Sequence, residues 1–132
     1  MDDFVLEVSR KANILIVDDE PMIRALLEKT LSQTRYSCWF AEDGEKALEL
    51  IARQPIDVVV TDIDMPIMNG IDLAKTVKSN YTADIIVMTG QIRSYQYDEI
   101  ITIGASDFVE KPFSPREMIL RIDRVLRERG LR

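Results

Sequence analysis

Short apolar runs rich in β-branched residues alternate along the chain with longer stretches whose apolar positions recur at helical spacing. Residues 13–17 (Asn-Ile-Leu-Ile-Val) form the first run, the pattern of a strand buried on both faces. Asp18-Asp19-Glu20 ends it, and Pro21 suits a first helical turn, where its missing N–H costs nothing. Met22, Ile23, Leu26, Leu27 and Leu31 predict a helix to about Gln33. A second strand is predicted over 36–41, a turn at Asp43-Gly44, and a second helix through Ala47, Leu48 and Ile51 that stops before Pro55. Ile56-Asp57-Val58-Val59-Val60 predicts the third strand and delivers Thr61 and Asp62 at its carboxyl end. A loop over 63–69, broken by Pro66, leads to a third helix opened by Gly70 and carried by Leu73, Ala74 and Val77. Residues 84–88 predict a fourth strand ending at Thr89-Gly90. Residues 94–103 predict a helix with Ile100 and Ile103 inward and Gly104 as its left-handed terminator. Asp107 to Glu110 predicts a short fifth strand running into Lys111-Pro112. The last helix, from about Pro115 to Arg129, carries Met118, Ile119, Ile122, Val125 and Leu126 on its apolar side. Strict alternation of this kind predicts an α/β domain with one parallel sheet and helices on both faces, joined by right-handed crossovers.

Residues 1–10, with their apolar-acidic stretch Phe4-Val5-Leu6-Glu7-Val8, read as a loosely held leader. The domain is expected over 11–129 and a tail over 130–132. A chain of 132 residues fits one domain. With 46% hydrophobic and 30% charged residues it lies near the globular average, so neither disorder nor a fibrous repeat is indicated. No apolar run approaches the roughly 20 residues of a membrane span, and Met1-Asp2-Asp3 lacks the positive region of a signal peptide. Cys38 is the only cysteine and there is no histidine. That excludes an intrachain disulfide, a Cys-based zinc cage, Ser-His-Asp and Cys-His catalysis, and most transition-metal sites. The net charge of −6 argues against a nucleic-acid surface. The charge is uneven: from Arg116 to Arg132 six arginines face three acids, a local +3 that suits a solvated helix face or a partner surface.

In an open parallel sheet, ligands bind beyond the carboxyl ends of the strands. Here the first strand delivers Asp18 and Asp19, the third Asp62, the fourth Thr89 and the fifth Lys111. Each is ordinary alone: acidic pairs often start helices, and a Thr before Gly is usually a loop residue. Their joint placement, each at the end of a different strand, is not. Clustered carboxylates repel, and a hard cation or a lysine relieves them. Mg²⁺ fits, because it takes oxygen ligands, keeps waters and often shares a phosphate oxygen.

The ordered set Val17-Asp18-Asp19-Glu20, Thr61-Asp62-Ile63-Asp64-Met65-Pro66, Asn69-Gly70, Met88-Thr89-Gly90, Gly104-Ala105 and Phe108-Val109-Glu110-Lys111-Pro112-Phe113 resembles the receiver domain of two-component response regulators, of the chemotaxis-regulator type. The resemblance extends over 13–127. It implies a flavodoxin-like, doubly wound five-stranded sheet of order 2-1-3-4-5. It implies that Asp62 is the phosphoacceptor, that Asp18, Asp19, Asp62 and the backbone carbonyl of Asp64 hold Mg²⁺, and that Lys111 pairs with the phosphoryl oxygens. Thr89 takes the place of the switch hydroxyl and Phe108 that of the switch aromatic, and the Lys111-Pro112 bond is expected cis. In such a domain the phosphoryl group comes from a sensor histidine kinase or a phosphotransfer protein. Its arrival switches the face formed by the fourth helix, fifth strand and fifth helix. The implied output is a downstream protein partner or a linked output domain, in a bacterial cytoplasm, with no nucleic-acid or membrane contact by this chain. No enzymatic turnover is implied beyond self-phosphorylation and slow self-dephosphorylation.

Some residues modulate the pattern. Phe108 lacks the hydroxyl of the tyrosine often found there, so it can report only by packing. Asp64 adds an acid near the acceptor, and Gln91 stands where variable groups influence hydrolysis in this family. Tyr95 and Tyr97 offer aromatic area to the switching face or to the core. The arginine-rich last helix, set against Asp98 and Glu99 of a neighbour's fourth helix, suits a dimer promoted by phosphorylation. With three residues beyond that helix, the chain reads as a single-domain regulator or as a receiver from a longer protein. Three rivals are weaker. The Asp62-Ile63-Asp64 motif resembles that of haloacid-dehalogenase-type phosphatases, but there it follows the first strand. An EF-hand fails on the spacing of Pro66 and Gly70. A receiver-shaped module that is never phosphorylated leaves the set of Asp18, Asp19, Asp62, Thr89 and Lys111 without a use.

Overall fold

A computed structural model describes residues 11–90 and 94–130, the side chains of 94–96 excepted. Five strands alternate with five helices: β1 (Asn13–Val17), α1 (Pro21–Leu31), β2 (Ser37–Ala41), α2 (Gly44–Arg53), β3 (Val58–Asp62), α3 (Gly70–Asn80), β4 (Asp84–Thr89), α4 (Ser94–Thr102), β5 (Asp107–Glu110) and α5 (Pro115–Glu128). The strands form one sheet of order β2-β1-β3-β4-β5, as expected, and every pairing is parallel.

The continuous apolar runs exist because both faces of the sheet are covered. Leu15, Val17, Val59, Ile85 and Val87 pack with Ala47, Ile51, Leu73, Val77 and Ile100 of α2, α3 and α4. Their sequence neighbours Ile14, Ile16, Val58, Val60, Ile86 and Met88 pack on the other face with Leu27, Leu31, Met118, Ile122 and Val125 of α1 and α5. Each fully buried side chain of this size contributes roughly 1.5–3 kcal/mol.

Local signals set the helix starts. The side chains of Asp43, Asn69 and Ser114 accept hydrogen bonds from the backbone N–H of Lys46, Asp72 and Glu117, capping α2, α3 and α5. Pro21 and Pro115 occupy the first turns of α1 and α5. Gly104 has φ 78°, the left-handed conformation its position after α4 requires. β3 starts at Val58 and runs on through Thr61 to Asp62, so the strand is shifted two residues toward the carboxyl end relative to the expected apolar run. The Asp57 N–H bonds the carbonyl of Asn13 just ahead of the pairing with β1. α1 ends at Leu31 rather than Gln33, because the Ser32 and Gln33 N–H groups fold back onto Glu28 and Thr30 in a closing turn. Residues 1–10, Gln91 and the side chain of Tyr95 lie outside the described residues. Among the described residues no helix is long and apolar enough to cross a membrane.

Candidate functional site

Parallel strands all point their carboxyl ends to one edge, so the residues after β1, β3, β4 and β5 converge there. Asp62, the last residue of β3, is paired with Met88 of β4 and is buried. Asp18 follows β1 directly and is fully buried, its N–H bonded to the carbonyl of Ala41 at the end of β2. Its Oδ1 accepts from the Glu20 N–H at 2.9 Å, and its backbone carbonyl accepts from Arg24 at 2.7 Å. Thr89 ends β4 and is fully buried, and its carbonyl accepts from the Lys111 N–H at 2.7 Å. That bond carries Lys111 from β5 to the same edge, and the Lys111-Pro112 peptide is cis, as expected.

The Lys111 ammonium lies 2.8 Å from Asp18 Oδ2, 3.3 Å from Asp62 Oδ2 and 3.4 Å from Glu20 Oε1. One cation therefore faces three carboxylates. Burial raises the Asp62 pKa to about 6, the charge of Asp18 adds to the rise, and Lys111 and a hydrogen bond from the Asp64 backbone oppose it. Burial alone would lower Lys111, but the hydrogen bond to Asp18 and the charges of Asp62 and Asp18 hold it above its ordinary value. The site thus keeps the Asp62 carboxylate in an environment short of positive charge.

Oxygens of Asp18, Glu20 and Asp62 lie within 4.8 Å of one another. Oxygens on one octahedral Mg²⁺ at about 2.1 Å stand about 3 to 4.2 Å apart, so the buried Asp18 and Asp62 carboxylates suit the ion in chemistry and lie near its spacing, while Glu20 stands at the exposed side of the cluster against Lys111. Asp19 and Asp64 are exposed beside it. Sequence reasoning passed over Glu20, which the turn after Asp18 brings to Lys111. It also passed over the reason for Gly70: a Cβ there would collide with the carbonyl oxygen of Asp62 and stand 2.9 Å from Ile63 Cα. Phe108 is half-buried in β5, and Tyr97 of α4 meets it edge-on, centroids 5.5 Å apart and planes at 84°. A groove of about 680 Å³ between residues 33–36 and α5 shares no residue with the acidic edge.

The fold and site define a doubly wound α/β domain with an acidic, lysine-bearing pocket at the carboxyl edge of its sheet. Residues 14–123 match the response regulator receiver domain. Over 122 residues the chain is 38% identical to the probable transcriptional regulator ycf27 of Guillardia theta, covering 92% of this chain and 48% of that protein. It is 38% identical to the response regulator GtcR of Aneurinibacillus migulanus, covering 86% of this chain and 47% of that protein. The chain spans about half the length of the curated relatives it matches. Among solved structures, chemotaxis protein CheY4 of Vibrio cholerae superposes with a TM-score of 0.83 at 32% identity, covering 89% of this chain and 100% of that one. The signal receiver domain of an HD domain-containing protein from Pseudomonas fluorescens gives 0.88 at 28% identity, covering 92% and 98%. The chain belongs to the response regulator receiver domains: it is the receiver of a two-component response regulator. Some relatives are named transcriptional regulators, so the expectation of no nucleic-acid partner draws no support from them.

Proposed function

We propose that Asp62 accepts a phosphoryl group from a phosphohistidine on a sensor kinase or phosphotransfer protein, with Mg²⁺ as cofactor. The observation that carries this reading is the buried Asp62 carboxylate at the end of β3, sharing the Lys111 ammonium with Asp18. A carboxylate oxygen of Asp62 attacks phosphorus in line as the phosphorus–nitrogen bond of the donor breaks. The imidazole leaves with the bonding pair, and it leaves neutral because its other nitrogen keeps its proton. Asp18, Asp62 and the Asp64 backbone carbonyl, with Asp19 beside them, would hold the ion, which supplies charge neutralisation on the transferring group. Lys111 supplies the rest from 3.3 Å.

The acyl phosphate adds about −1.5 to −2 charge to the pocket. Thr89 then donates its hydroxyl to a phosphoryl oxygen, and Phe108 turns into the space this opens. The edge-on contact with Tyr97 carries the change to α4, and the α4–β5–α5 face shifts population toward the state that binds a partner, a linked output domain or a second copy.

Intact mass after incubation with acetyl phosphate tests the chemistry. One added phosphoryl group is expected, requiring both Mg²⁺ and Asp62, and absent from Asp62→Asn. No gain in wild type under any condition would reject the reading in favour of a module that acts unphosphorylated.

A further inference from the structure

Glu20 occupies the helix-capping position ahead of α1, yet its side chain makes no capping hydrogen bond. The backbone on either side is fixed: its N–H bonds Asp18 Oδ1 at 2.9 Å, and its carbonyl accepts from the Arg24 N–H at 3.2 Å. Pro21 follows with no N–H to be capped. The freed carboxylate turns to Lys111, at 3.4 Å. Of the three acids around that ammonium, Asp18 and Asp62 have side chains 0% and 6% exposed, whereas Glu20 is 59% exposed. Glu20 therefore stands on the solvent side of a lysine that is itself 14% exposed. It is the one partner that can withdraw into water without a buried charge being stranded.

We propose that Glu20 is a positioning residue that holds the Lys111 ammonium at the mouth of the resting site and yields it to an incoming phosphoryl group. Its hold on the lysine is a property of the resting protein; its release to a phosphoryl group rests on the acceptor reading of Asp62. The pair is solvent-facing, so its effect is a few-fold one, and salt weakens it.

Amine footprinting of the full chain with acetic anhydride, read by peptide mass spectrometry without metal or phosphodonor, tests the hold. Lys29, Lys46 and Lys75 serve as internal standards. Glu20→Gln is expected to speed Lys111 acetylation about two- to fivefold. Glu20→Asp, which keeps the charge but withdraws it by one methylene, is expected to do nearly the same. An unchanged Lys111 rate in Glu20→Gln overturns the proposal, as does wild-type behaviour in Glu20→Asp beside a fast Glu20→Gln, which would assign the effect to diffuse charge. Acetyl phosphate labelling at saturating Mg²⁺ tests the release. Both variants should lower the KM for acetyl phosphate about two- to fivefold with the saturated rate within twofold, and 0.5 M salt should shrink the difference. A faster footprint with an unchanged KM would overturn the release. Wild type that takes no phosphoryl group rejects the acceptor reading and the release together, while the footprint still decides the hold.

Discussion

A methyl group added at Gly70 would meet the Asp62 carbonyl oxygen, with the carbonyl carbon 2.8 Å away, and backbone cannot swing aside as a side-chain tip can. The first turn of α3 is therefore pressed against Asp62, and the Gly70 N–H bonds the carbonyl of Ile63 at 2.8 Å to keep it there. Gly70→Ala should cost about 1–3 kcal/mol by overpacking. Under the proposed acceptor role it should also slow acetyl phosphate labelling, because relief of the clash moves the Asp62 backbone. Urea unfolding beside the labelling rate checks both. Asp18, Asp62 and Lys111 were legible as strand-end residues, because strand runs are short and their ends are sharp. Gly70 read only as a helix opener, since close backbone approach leaves no trace in composition. Cys38 carries a different signature. Burial pushes its thiol up to about 11, so at pH 8 about one molecule in a thousand is thiolate. Iodoacetamide should modify the native protein about a hundredfold more slowly than the urea-unfolded chain, and equal rates would contradict the burial of this side of β2.

At the scale of elements, α5 is fastened to the starts of the strands by its arginines. Arg121 donates to both carboxylate oxygens of Asp107 at 2.9 and 3.0 Å, and Arg124 reaches Oδ2 at 3.0 Å. Arg129 bonds Asp84 at 2.9 Å and the carbonyl of Thr82 at 2.8 Å, and lies 3.7 Å from Asp57. Burial alone would raise the Asp107 pKa, but the hydrogen bonds from Arg121 and Arg124 outweigh it and hold the group below its ordinary value. A carboxyl depressed in the folded state adds stability above the unfolded value near 4, and loses it as pH falls through the folded value. Asp107→Asn should therefore cost about 1–2 kcal/mol at pH 7, the half-exposed arginines keeping the figure low. The two proteins should converge as pH falls below the depressed Asp107 value. Urea midpoints taken from pH 7 down through the acid range measure this, and a gap that stays constant throughout would place the effect in packing instead. These clamps also show why the basic stretch was hard to read. Charge count alone suggested a solvated face or a partner surface, but three of the arginines are spent within the fold. Asp57 was hidden inside an apolar run, and the other two acids head their own runs. The arginines of α5 that remain exposed are Arg116 and Arg127.

For the whole molecule, the pocket stores instability. Asp62 has a pKa of about 6 in the folded protein against 3.9 in an unfolded chain. The sign is opposite to that of Asp107: the folded state binds the proton more tightly, so this group favours folding below about pH 4, and that advantage is lost as pH rises through 6. In EDTA, Asp62→Asn should match wild type near pH 4 and exceed it by about 2 kcal/mol at pH 7.5. Lys111 then keeps Asp18 and Glu20 as partners, which limits any loss from the missing carboxylate. Under the proposed cofactor role, Mg²⁺ should stabilise wild type by about 1.4 kcal/mol for each tenfold excess over its dissociation constant. It should do less for the variant, so the gap closes as the ion is added. Unfolding followed by Trp39 fluorescence at pH 4.5, 6 and 7.5, with and without the ion, reads every part of this. Wild type gaining on Asp62→Asn as pH rises in EDTA would mean that Lys111 more than neutralises the Asp62 carboxylate. The resting pocket would then carry no repulsion for a cation or a phosphoryl transfer to relieve.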